Sequence, residues 1–229
     1  MPMEIKKEIR KYAKKKKAKN NEWFFKTGKG EYGEGDKFLG LTMPEQRKIT
    51  LKHRELGLRE VKKLLDSVYH EERMIGLLIL VCKYKKTKNK KEIFDFYLKN
   101  KKAINNWDLV DVTTPNIVGD YLKNRDKGLL YKFAKSKDLW QKRIAIVATC
   151  VFIKEGNLKD TFKISEILLN DKHDLIHKAV GWMLREAGKK NQKELEKFLS
   201  KYSKVMPRTM LRYSLEKFPE IKRKKYMKK

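Results

Sequence analysis

The sequence predicts an all-α helical-repeat solenoid, a curved superhelix of antiparallel helix pairs around a basic concave groove. Three observations carry that expectation. Apolar residues recur at three- and four-residue spacing, Gly and Pro are sparse at 12 and 5 in 229 residues, and four apolar segments return at a fixed interval. "ERMIGLLILVC" begins at Glu72, "WDLVDVTTPNI" at Trp107, "KRIAIVATCVF" at Lys142 and "HKAVGWMLREA" at His177, each 35 residues after the one before. Two-helix repeats of about this length cannot bury their apolar faces alone, so they stack, with one helix of each pair on the concave side. The four segments are read as that inner set. No strand is expected.

The chain, 1–229, is read as one repeat domain in three stretches. Residues 1–40 hold a basic helix over 4–19 and the one Gly-rich loop, "KTGKGEYGEGDKFLG", over 26–40. The repeats fill 41–218 and open on "TMPEQRK", where Thr42 suits an N-cap and Pro44 the first helical turn. Residues 219–229 form a basic tail.

Charge narrows the function. There are 58 Lys plus Arg against 29 Asp plus Glu, a net +29 spread from the first helix to the tail. Such a field draws a polyanion, and nucleic acid is the commonest one. Lys-rich helix faces also occur without any such partner, as in thermophiles; the twofold excess of bases over acids speaks against that alternative. Cys82 and Cys150 lie in apolar helical runs and are read as small buried hydrophobes. There is no disulfide framework or zinc spacing, so no zinc site is expected. No apolar leader and no apolar run of about 18 residues occurs. A soluble cytoplasmic, nucleoid-associated protein without a membrane partner is therefore expected.

With about 100° of turn per residue, the four segments share one helical wheel. Met74 and Ile75, Leu109 and Val110, Ile144 and Ala145, and Ala179 and Val180 fall on the core face. Trp107, Asp111, Arg143, Trp182 and Arg185 fall on the opposite side. Asp111 follows Trp107 by four residues and shares its face. Asp108 points away by roughly 60° and is expected to pair with a base of a neighbouring repeat. Gly76 and Gly181 occupy the column of Asp111 in other repeats and would let something approach closely. Pro115, which cannot donate to the carbonyl of Asp111, should distort the helix there.

A carboxylate, two indoles and two guanidiniums suit a ligand that develops positive charge, since a carboxylate alone would repel DNA phosphates. Cleavage of an N-glycosidic bond passes through an oxocarbenium-like state that an adjacent anion stabilises. Indole faces attract a cationic base by on the order of 0.5–2 kcal/mol each. Arg143 and Arg185 would grip backbone phosphates. Against this, a Trp near a helix start is commonly packing, and Asp111 could be an ion-pair partner of Arg143 across a repeat interface.

"NNWDLVD", "LWQKRIAIV", "KAVGWMLRE" and "FFKTGKGEYGEGDKFLGLTMPEQR", in that arrangement over about Trp23 to Glu216, resemble the DNA alkylation repair family, the AlkD-like DNA glycosylases built on HEAT-like repeats. The resemblance implies excision of N3- and N7-alkylated purines, such as 3-methyladenine and 7-methylguanine, from duplex DNA in base excision repair, without extruding the base into a pocket. It places the catalytic Asp at Asp111, the flanking indoles at Trp107 and Trp182, a phosphate-contacting Arg at Arg143 and an N-terminal aromatic at Tyr32. It implies a monomer acting on double-stranded DNA that carries alkylated bases, with no cofactor and no obligate protein partner. The long Lys-rich N-terminal helix and basic tail depart from the family pattern and bear on affinity and salt dependence. Two rivals remain: a non-catalytic HEAT-like protein that binds or senses damage, which would have no use for Asp111, and a protein scaffold, which would expose apolar and mixed-charge ridges.

Overall fold

The computed structural model describes residues 2–228, so Met1 and Lys229, the last residue of the basic tail, lie outside the described residues. The chain forms two compact units, Met1–Ile117 and Val118–Lys229. The first holds α1 (Pro2–Lys11), α2 (Lys15–Phe24), α3 (Met43–Lys52), α4 (Leu58–Leu65), α5 (His70–Lys86), α6 (Lys90–Lys99), a 3-10 turn (Lys101–Ala103) and α7 (Trp107–Thr114). After a π-helical turn (Pro115–Gly119), the second holds α8 (Asp120–Leu122), α9 (Gly128–Ala134), α10 (Leu139–Lys154), α11 (Lys159–Ile167), α12 (Asp174–Lys190), α13 (Gln192–Tyr202), α14 (Arg208–Ser214) and α15 (Glu220–Met227). The fold is all-α and of the helical-repeat kind, as expected. The β pairing among the described residues is one isolated parallel bridge, Lys37 to Tyr69. No helix among them is long and apolar enough to cross a membrane.

The four in-register segments lie on α5, α7, α10 and α12. All eight residues of the expected core face are buried, none more than 1% exposed. Gly76 and Gly181 do permit close approach, but what approaches is a neighbouring helix. A Cβ at Gly76 would stand 3.1 Å from the Leu64 Cβ of α4, and one at Gly181 would stand 2.6 Å from the Met210 carbonyl of α14. Cys82 and Cys150 are half-buried rather than buried, because each follows directly on the fully covered run of its helix.

The single basic helix expected over 4–19 is two helices. Lys14 takes an extended conformation and its N–H donates to the Leu39 carbonyl at 2.8 Å. Gly40, at φ +86°, packs so near that a Cβ would fall 2.4 Å from the Lys14 carbonyl. Local propensity in a Lys-rich run offers no stop signal, so a tertiary contact makes the break. The expected Thr42 cap is present and closes a capping box: the Glu45 carboxylate accepts from the Thr42 N–H at 2.7 Å while Glu45 N–H donates to the Thr42 hydroxyl at 3.4 Å. The Lys14 ammonium, then the Thr42 N–H, hold the Glu45 carboxyl down to about 2.

α2 ends in a Schellman closure, with Thr27 N–H donating to the Glu22 carbonyl and Lys26 N–H to that of Trp23. Lys26 sits at φ +56°, alone among the described non-glycine residues in the left-handed region, where glycine would be favoured by about 1 kcal/mol.

Candidate active-site helix and its supports

α7 carries both Trp107 and Asp111, and it is held at each end. At its start, the buried Asn106 side chain accepts from the Trp107 N–H at 2.8 Å. The indole of Trp107 stacks on Phe25 with centroids 5.3 Å apart and planes at 18°. Phe25 stacks on Phe38 at 5.0 Å, and Phe38 on the His70 ring at 4.7 Å. Phe24 meets the same indole edge-on at 5.9 Å. A column of rings thus runs from α7 to α5 and covers one face of Trp107. Phe24 and Phe25 were not among the expected site residues; the run "WFF" at the end of α2 is the signal that marks them in the sequence. Tyr32 is half-buried in the loop of the same unit.

The column ends in buried charge. His70 Nε2 lies 2.9 Å from Asp108 Oδ2, and its Nδ1 lies 3.4 Å from Asp36 Oδ2. Arg73 Nη2 donates to Asp36 at 2.7 Å and to Asn105 Oδ1 at 2.9 Å, while Asn105 donates back to Asp36 at 2.9 Å. Asp108 therefore does pair with a base of the preceding repeat, a histidine from α5. The next residue, Glu71, is 1% exposed and accepts from the N–H groups of Leu39, Gly40 and Leu41. Glu72 is fully buried and pairs with Lys6 at 3.1 Å and Arg10 at 2.6 Å of α1. The four residues "HEER" thus each anchor another segment on α5.

Burial alone would lower the His70 pKa, but the Asp108 charge and the hydrogen bonds to Asp108 and Asp36 outweigh it and raise it to about 9. The imidazole is cationic at neutral pH. Because the folded value lies above the ordinary 6.5, the stability it contributes is complete below about pH 6.5 and is lost as pH climbs through 9. That contribution is on the order of 3 kcal/mol. Denaturant unfolding between pH 6.5 and 9 should show stability falling for the wild type and a shallower fall for His70→Gln. Equal slopes in the two proteins would refute the assignment.

At the far end of α7, the fully buried Tyr97 hydroxyl of α6 lies 2.8 and 3.0 Å from the hydroxyls of Thr113 and Thr114. Burial, with the nearby charge of Asp111 adding to it, pushes the Tyr97 hydroxyl up to about 12 against the opposing threonine hydrogen bonds. Pro115 follows, and the helix passes into the π-helical turn. A missing N–H at Pro115 breaks the i to i−4 ladder, and the wider register accommodates the break. Asp111, half-buried, sits between these two supports and one turn after Trp107.

In the second unit, α10 is buried at every position from Arg143 to Thr149, so Arg143 has no open side on the wheel. It is 5% exposed, and its Nη1 donates to the Leu175 carbonyl in the first turn of α12. Trp182 is half-buried on α12. Arg185, on the same helix, donates to Glu186 at 3.0 Å and pairs with Glu216. Among the described residues no cluster of three or more His, Cys, Asp or Glu side chains is arranged to hold a metal ion.

A solved structure described as a predicted DNA alkylation repair enzyme from Enterococcus faecalis has a similar fold, with a TM-score of 0.69 over 90% of this chain and 96% of that one. The two are 13% identical, so the likeness speaks for the fold alone. No curated protein matches the chain. The DNA alkylation repair enzyme family model matches residues 5–218, which include the ring column, both carboxylates of α7, and α10 and α12 entire. On that match over nearly its whole length, the chain belongs to the DNA alkylation repair enzyme family.

Proposed function

We propose that the protein is a DNA glycosylase that releases N3- and N7-alkylated purines, such as 3-methyladenine and 7-methylguanine, from duplex DNA. The observation that carries this reading is Asp111, an acid in a chain of net +29, placed one turn from Trp107 on a helix fixed at both ends. A site held by packing and by a second layer of hydrogen bonds keeps its geometry as charge develops. The alkylated purine already carries a positive charge. When its glycosidic bond breaks, the electron pair leaves with the base and neutralises it, and the sugar becomes cationic. The Asp111 carboxylate opposes that new charge and orients a water, which adds to the sugar carbon and gives up a proton to solvent. Phe25 covers one face of Trp107, so a cationic base is met by the other face or the edge of the indole.

Trp182 and Arg185 of α12 serve the DNA in the second unit. Arg185 exchanges the half-exposed Glu216 for a backbone phosphate, while Arg143 fixes the first turn of α12. The lesion-bearing duplex is the partner, bound by a monomer, and the positive charge of the alkylated purine already makes it a good leaving group without a cofactor.

Base release tests the reading directly. Incubated with duplex DNA carrying 7-methylguanine and 3-methyladenine, the protein should liberate free base above the spontaneous rate, read by chromatography. Binding without release would instead support a non-catalytic protein that senses damage.

A further inference from the structure

Trp23 and Phe24 end α2 with 74% and 53% of their surfaces exposed, and no residue of that helix is buried. Apolar rings left in water at such cost to the solvent call for an occupant. Together with Asn20 and Asn21 they line a shallow hollow of about 450 Å³. The Lys26 ammonium lies over one face of the Trp23 ring, 5.2 Å from its centroid. Lys26 reaches that position from a left-handed backbone that glycine would adopt without strain, and strain retained at one residue points to a use for its side chain. Along its length α2 carries Lys15, Lys16, Lys17 and Lys19 against Glu22 alone.

We propose that this hollow is a stacking site for an unpaired nucleobase, with Trp23 as platform, the Asn20 and Asn21 amides reading the base edge and Lys26 meeting the adjoining phosphate. The stacked base takes the ring face opposite Lys26 or displaces the ammonium toward its phosphate. The side-chain chemistry selects this occupant. An indole face stacks on any base, and stacking platforms beside ammonium groups are how unpaired strands are held. Amides carry both a donor and an acceptor, as a base edge requires. A lysine-rich helix suits a phosphodiester, and two rings are too little apolar surface to anchor a helix in a membrane. The hollow also adjoins the proposed catalytic helix, because the Phe24 ring that lines it touches Trp107.

An unpaired base arises in the reaction itself. Release of a purine leaves its former partner without a pair, so the site would recognise the product duplex. This inference rests on the reading of the chain as a DNA-acting protein and does not require that Asp111 be catalytic.

The test is fluorescence anisotropy with two labelled duplexes, one fully paired and one with a single tetrahydrofuran abasic site opposite thymine. Wild type should bind the abasic duplex at least 5-fold more tightly. Trp23→Ala should lose about 5- to 100-fold on the abasic duplex and less than 2-fold on the paired one, as loss of one stacked base predicts. Trp23→Phe, which keeps a ring, should retain most of the preference and controls for folding. Equal losses on both duplexes, or no preference in the wild type, would overturn the proposal and leave the glycosylase reading standing. Failure of wild type to bind either duplex would overturn both.

Discussion

Asp111→Asn should slow release of 7-methylguanine by about 100- to 1000-fold while leaving duplex binding nearly unchanged, the scale expected when one preorganised electrostatic contact to a developing charge is removed. Asparagine keeps the shape of the side chain and removes its charge. The helix around it is held by contacts that do not involve the carboxylate: Asn106 and the ring column at the start, Tyr97 with Thr113 and Thr114 at the end. The variant should therefore fold as the wild type does, and circular dichroism melting would check it. Single-turnover release with enzyme in excess separates the chemical step from binding. An Asp111→Asn protein that releases base at the wild-type rate would remove the carboxylate from the mechanism and leave Asp111 a packing or ion-pairing residue.

Asp36→Ala should destabilise the first unit by about 3–5 kcal/mol, the scale seen when one partner of a buried charge group is lost. Asp36 is 8% exposed, Arg73 4% and His70 2%. Burial works against the charged form of the Asp36 carboxyl, yet its pKa is held below the ordinary value by the hydrogen bond to His70, the Arg73 charge and the Asn105 amide. Without the carboxylate, Arg73 keeps the Ser67 carbonyl and Asn105, and two buried cations remain with Asp108 alone. Urea unfolding measures the loss. Adding Arg73→Met to Asp36→Ala should cost less than the sum of the single changes, because the second substitution removes the charge that the first left unpaired. A loss under 1 kcal/mol, or strict additivity, would show that the network is not coupled. The disturbance should also reach α7 through His70 and Asp108, so base release should fall in the same variants.

The helices that carry the site were legible because burial acts locally on a periodic pattern. The 35-residue register placed Glu72, Trp107, Lys142 and His177 on helices, and the wheel picked eight core residues that are all buried. The same wheel separated Asp108 from Asp111, and the structure gives Asp108 a partner of its own in His70. Pro115 announced a break in the helix through its missing N–H, and a π-helical turn begins there. What a wheel cannot register is a helix covered on all sides. Arg143 stood opposite the core by angle alone, while its neighbours on α10 are buried all round.

The sequence by itself determined the all-α class, the repeat, the core columns, the cap at Thr42 and the place of the acid beside the indole. The cap, the helical faces and the acid beside the indole follow from residues within about a dozen positions of one another, where helix geometry fixes who meets whom, and the repeat follows from the return of the same local pattern every 35 residues. Tertiary structure alone decided that the Lys-rich N-terminal run is two helices broken at Lys14, that Phe25 stacks on Trp107 while Phe24 meets it edge-on, and that "HEER" is a set of buried anchors. These contacts join residues 25 to 83 positions apart, from Lys14 with Leu39 to Phe24 with Trp107. Propensity carries no record of such pairs, because a lysine or a phenylalanine favours the same local backbone whichever distant surface it meets. The partner, and with it the electrostatics of the site, exists only once the chain has folded.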